Sequence, residues 1–167
     1  MAKSIFPLVF LFLFPAYIFA GIRNKPRNII YVEVMGKGGY GSLNYERLIF
    51  GNKLLGAGLG AGIGTYNIFD YEGNFNPDLI IPLSGSVYFF SPHRIEVGAG
   101  NTFSSIVHTG HPGPGTERVN SMSAGLFFGY RYQRQINGII IRAGYSPVIE
   151  FYSRIVHRAG VSFGYAF

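Results

Sequence analysis

The sequence predicts an all-β fold: an eight-stranded antiparallel transmembrane β-barrel, an up-and-down meander that follows an N-terminal signal peptide. Three observations predict it. Apolar residues alternate with small or polar ones in segment after segment. Most segments match the roughly 9–11 residues a tilted strand needs to cross a bilayer. The links between them switch between short and long. Strict alternation signals a strand because successive side chains point to opposite faces.

The chain starts with a targeting segment. Lys3 is the only charge before an apolar run from Ile5 to Phe19, and Ala20 and Gly21 offer a small-residue exit. A charged start, a short apolar core and a small exit residue describe a secretory signal peptide. Cleavage is placed after Ala20, although Ile18 is large for the minus-three position. A membrane anchor is the alternative, but a run this short, broken by Pro7 and Pro15, falls below the roughly 20 residues of a spanning helix. Residues 1–20 are therefore the signal and residues 21–167 the barrel domain.

The eight strands are placed at 29–35, 41–50, 54–65, 79–90, 93–103, 121–134, 138–147 and 157–167. Gly36 to Tyr40 joins the first two and is short. Gly51-Asn52-Lys53, Ser91-Pro92 and Gln135-Ile136-Asn137 are short turns after the second, fourth and sixth strands. The links 66–78, 104–120 and 148–156 are long. Short turns on one side and long loops on the other, with an even strand number, are features of outer-membrane barrels. The clearest alternation is in the third strand, where Leu55, Ala57, Leu59, Ala61 and Ile63 alternate with five glycines. The eighth puts Ala159, Val161, Phe163, Tyr165 and Phe167 on one face and Arg158, Gly160, Ser162, Gly164 and Ala166 on the other. A soluble β-sandwich also alternates, but its inner face is large and apolar. Here the second face is Gly, Ser and occasional charge, which cannot fill a sandwich core.

Composition narrows the function classes. Hydrophobic residues are 48% of the 167 and charged residues 13%, about half the usual share of roughly 25%. A disordered chain has the opposite balance. Zero cysteines exclude a disulfide scaffold, thiol catalysis, thiolate-bound metal and lipoprotein attachment. The net charge of +6 falls to +5 once Lys3 leaves with the signal. These charges are scattered singly, without the run or basic helix face that tracks phosphates, so no nucleic-acid partner is expected.

The terminal stretch Gly160-Val161-Ser162-Phe163-Gly164-Tyr165-Ala166-Phe167 resembles the insertion signal of Gram-negative outer-membrane proteins. In that family a final aromatic with apolar residues at alternate positions is read by the barrel-assembly machinery. Phe163, Tyr165 and Phe167 carry the likeness. The chain from Gly21 onward resembles small eight-stranded barrels of the OmpA/OmpX type. Its Gly-rich strands and the segment Ser42-Leu43-Asn44-Tyr45-Glu46-Arg47 are similar to the version common in Bacteroidetes. The resemblance implies an outer-membrane location, contact with the lipid bilayer and lipopolysaccharide, and a monomer. The chain lacks Trp, so Tyr and Phe must form the aromatic girdles.

Placing the apolar positions outward turns Glu33, Glu46, Glu96, Arg131, Arg142 and Arg158 inward. Three acids and three bases on one inner face predict an ion-pair network that plugs the lumen, since an unpaired buried charge costs several kcal/mol. A narrow pore for small solutes or ions is the alternative. An eight-stranded barrel is about wide enough for its own side chains to fill, which favours the plug.

No catalytic, cofactor or metal site is predicted. Gly36-Lys37-Gly38-Gly39-Tyr40-Gly41 fits G-x-G-x-x-G, but a strand follows where a dinucleotide site needs a helix N-terminus. His108 and His111 lie three apart in the longest loop without a third ligand nearby. Some small barrels modify lipid A, and one such deacylase family carries a His-x-Ser pair. Here Ile, Gly, Gly and Ala follow two residues after His93, His108, His111 and His157. His157 with Glu150 and Ser153 gives a triad on paper only. The expected role is structural or surface-interacting, through exposed loops such as the one with His108 and Thr116-Glu117-Arg118. A lipid-modifying enzyme is the third reading.

Overall fold

A computed structural model describes residues 28–70, 73–108, 117–134, 137–150 and 155–167. The segment assigned to the signal peptide lies outside them. The described chain forms β1 (Asn28–Gly36), β2 (Gly39–Gly51), β3 (Leu55–Thr65), β4 (Leu79–Phe89), β5 (His93–His108), β6 (Glu117–Gln133), β7 (Gly138–Glu150) and β8 (Ile155–Ala166). Each strand pairs antiparallel with the next, and β1 pairs with β8, so the sheet closes into a barrel. Closure leaves no edge with unpaired backbone groups.

Every predicted segment becomes one strand, but β2 starts two residues before the expected 41 and four further ends extend beyond the hydrophobic alternation. β5 runs on to His108 instead of 103, β6 starts at Glu117 instead of 121, β7 runs to Glu150 instead of 147, and β8 starts at Ile155 instead of 157. All four ends lie on the long-loop side. There Ser104 pairs with Ser121 and Ser105 with Asn120. Polar residues stand on both faces, so the hydrophobic alternation stops while the backbone ladder continues. β2 also carries a bulge between Leu48 and Phe50 near its turn.

The side chains sort by face as alternation requires. Val32, Leu43, Leu59, Leu126, Phe128 and Phe163 point outward and are exposed. Tyr31, Glu33, Glu46, Tyr88, Glu96, Arg131 and Arg142 point inward and are buried. This inverts the distribution of a soluble domain, where charged side chains are almost never buried unless paired. At the short-turn end of the interior, Ile29, Tyr31, Ile140 and Ala166 form a small apolar cluster with Leu48 against it.

The short β1–β2 connection folds inward at the other end. Gly36 packs against Gly160 of β8, and the Gly38 carbonyl lies over Gly64 of β3. The Thr102 hydroxyl of β5 donates to the Lys37 carbonyl at 3.4 Å. The tip thus reaches from β8 to β5, on the far side of the barrel from β1. Gly39 takes φ +91°, where a Cβ would sit 2.6 Å from the Thr65 carbonyl oxygen. The glycines that resemble a nucleotide-binding turn serve this inward fold.

Candidate functional site: the charged lumen

Register brings three bases into a row. Arg94 of β5 is opposite Arg131 of β6, and Arg131 is opposite Arg142 of β7. Like charges directly opposite each other destabilise a sheet. Two carboxylates, Glu46 of β2 and Glu96 of β5, offset this. Glu46, on β2 across the lumen, lies 2.9 Å from Arg131 Nη1. Arg142 grips Glu96 with two bonds, Nη2 to Oε1 at 2.6 Å and Nε to Oε2 at 3.0 Å. Cross-contacts of 3.6 Å (Arg131 to Glu96) and 3.8 Å (Arg142 to Glu46) join the pairs into one four-membered network. Arg131 Nε also donates to Gln133 Oε1 at 3.0 Å. Bidentate, charge-assisted bonds of this kind are the strong ones.

Aromatic rings fill the remaining space between the cations. The Tyr88 ring has Arg131 at 4.4 Å and Arg94 at 4.8 Å from its centroid. Phe127 meets Arg142 at 5.1 Å and the Lys37 ammonium at 5.5 Å. Arg142 also lies 4.8 Å from the Tyr31 ring. Lys37 sits in the β1–β2 tip. Burial pushes its ammonium below the usual lysine range, and the Arg142 guanidinium adds to this.

Five of the six predicted lumen residues are buried together, but they do not all share one role. Glu33 joins no ion pair among the described residues. Its Oε1 accepts the Lys37 backbone N–H at 2.8 Å and its Oε2 the Ser162 hydroxyl at 3.2 Å, so it ties the inturned tip to the wall. Arg158 requires a correction. It is only half-buried, and its guanidinium stacks 5.0 Å from the Tyr66 ring. Ser162 is the β8 residue opposite Arg142 and Glu33. Arg158 lies four residues nearer the long loops and joins no ion pair among the described residues.

Sequence reading missed Arg94, Tyr31, Tyr88, Phe127, Gln133 and Lys37. Arg94, Tyr31, Phe127 and Gln133 share parity with assigned inward positions on their own strands and follow from the same rule, whereas Tyr88 is on β4, where no inward residue is assigned. Lys37 does not follow from it either, because a turn has no face to extrapolate. Phe163 and Tyr165 of β8 are exposed on its outer face, and Phe167, one residue beyond the strand, is exposed as well.

His93 and His157 each pair with a tyrosine. His93 Nδ1 is 2.5 Å from the Tyr130 hydroxyl, and its ring lies beside Tyr132. His157 stacks on Tyr145 and shares a hydrogen bond with its hydroxyl. His111 and Ser153 are outside the described residues. No group of three or more metal-binding side chains occurs among the described residues.

No protein-family profile and no curated protein sequence matches this chain. Among solved structures, the N-terminal β-barrel domain of Pseudomonas aeruginosa OprF is similar, with a TM-score of 0.58 and 14% identity over 86% of this chain and 100% of that one. The Yersinia pestis outer membrane protein Ail gives a TM-score of 0.47 and 13% identity over the same shares. The fold is that of the eight-stranded outer-membrane β-barrels, which the OprF domain shares.

Proposed function

We propose that this chain is an integral protein of a bacterial outer membrane, exported through a cleaved signal peptide. It is a non-catalytic monomer without a cofactor or nucleic-acid partner. The single observation that carries the reading is the inverted barrel: an exposed apolar outer face around a buried ionic interior. In water, so large an apolar surface is a liability; in lipid it is the solvated face. On this reading β8 presents Phe163, Tyr165 and Phe167 to the barrel-assembly machinery, the long loops face outward among lipopolysaccharide, and Ser42–Arg47 belongs to the Bacteroidetes-type variant.

The lumen is read as plugged twice, by the Glu46–Arg131–Glu96–Arg142 network and by the inturned β1–β2 tip. The role then falls to the loops. The loop 66–78 is the best supported contact surface. Asp78 accepts the backbone N–H groups of Val107 at 2.9 Å and Asn67 at 3.1 Å. Arg118 bonds Asn76 Oδ1 and, at 3.0 Å, the Pro77 carbonyl. Held in this way, the loop presents Phe69 and Phe75, stacked edge to face and 60% and 75% exposed.

Membrane residence is tested by refolding the protein into phospholipid vesicles and comparing gel mobility with and without boiling. The expected result is a compact band that shifts on boiling and stays with the vesicles through an alkaline wash. A single mobility, with the protein washed off, would refute the reading.

A further inference from the structure

The acidic side chains are unevenly placed. Glu33, Glu46 and Glu96 are in the lumen, and Asp70, Glu72, Asp78, Glu117 and Glu150 all lie in or beside the long loops. Among the described residues, the short-turn rim therefore has no Asp or Glu side chain. It carries Arg47, Lys53 and Arg134, all exposed.

Arg47 is the most informative of the three. It is opposite Asn28, the first residue of β1, which exchanges backbone hydrogen bonds with Phe167. That places it at the rim. Its side chain points outward, on the apolar face between Tyr45 and Ile49. Asn28 Oδ1 accepts the Tyr45 hydroxyl at 2.7 Å and Arg47 Nη1 at 3.2 Å. This holds the guanidinium beside a tyrosine at the aromatic level and uses one of its five N–H donors. No carboxylate among the described residues pairs with it. A cation on a lipid-facing surface is costly unless it reaches a polar partner at the interface. A guanidinium matches a phosphate in a bidentate manner.

We propose that the short-turn rim is an anionic-phospholipid site, with Arg47 binding the headgroup phosphate and Lys53 and Arg134 completing a cationic ring. The exposed apolar side chains Leu54 and Phe90 in the turns of the same rim suit the adjoining acyl region. The inference rests on the membrane reading above.

The test uses the protein refolded in phosphatidylcholine vesicles containing a minor share of phosphatidylglycerol, then extracted gently and weighed by native mass spectrometry. The wild type is expected to retain phosphatidylglycerol well beyond its share. Arg47→Gln should reduce that enrichment about five-fold, the factor that roughly 1 kcal/mol per basic residue corresponds to. Arg47→Lys should keep part of it. Arg47→Gln/Lys53→Gln/Arg134→Gln should abolish it. Equal retention by wild type and triple variant would overturn the proposal. So would displacement of the lipid by inorganic phosphate, which would mark a free-anion site instead. The boiling shift of each sample separates the two readings: a compact band without enrichment rejects the lipid site alone, whereas no compact band rejects membrane residence itself.

Discussion

Arg142→Met lowers the stability of the barrel by about 3–5 kcal/mol, the cost of removing one partner from a buried ion pair. The substitution keeps the length and apolar stem of the side chain but removes both bonds to Glu96. Glu96 is then left with Arg131, at 3.6 Å, as its ion-pair partner. Urea unfolding, followed by loss of the compact gel band, measures the effect. Arg142→Glu is more damaging, because it sets a third carboxylate beside Glu46 and Glu96. The double variant Arg142→Met/Glu96→Met recovers much of the loss, since replacing both members of a buried pair by apolar groups is often neutral. An Arg142→Met protein that unfolds like the wild type would mean the network contributes no stability.

Gly164→Val strikes the seam that closes the barrel. Gly164 is opposite Tyr31 where β8 meets β1. A Cβ there would stand 2.2 Å from the Ile30 carbonyl oxygen and 2.4 Å from the Tyr31 Cβ. The first is backbone of the pairing strand and cannot rotate away. Overpacking of this kind costs typically 1–3 kcal/mol, occasionally more, and here it acts on the contact that removes the sheet edges. The expected outcome is a sharp fall in the fraction that refolds to the compact form. Val161→Gly, an outward change on the same strand, should leave a larger folded fraction. If Gly164→Val refolds as well as the wild type, the seam is not packed as described.

The two variants also mark what the sequence made legible. Period-two alternation placed β3 and β8 because one face of each is almost wholly apolar and the other almost wholly small. The same parity sent Glu46, Glu96, Arg131 and Arg142 inward, since a charge on the lipid face would have been costly. Parity gives the face but not the height. Arg158 has the correct face yet lies above the acids, and only the strand register, with Ser162 opposite Arg142, shows that. Lys37 and the inturned tip were illegible for a different reason. A five-residue link reads as a plain turn; its contacts with β3, β5 and β8 are long-range and leave no local pattern. The long ends of β5 and β6 were missed because their pairing continues where both faces are polar.

The central claim is that side chains block the lumen, through the four-membered network in its middle and the β1–β2 tip at its mouth. Current across a planar bilayer containing the refolded protein tests this most directly, with insertion verified by the boiling shift of the recovered protein. The account predicts a silent membrane at moderate voltage. Discrete, reproducible current steps would contradict it, because they would require a continuous water path through the level of Glu46, Glu96, Arg131 and Arg142.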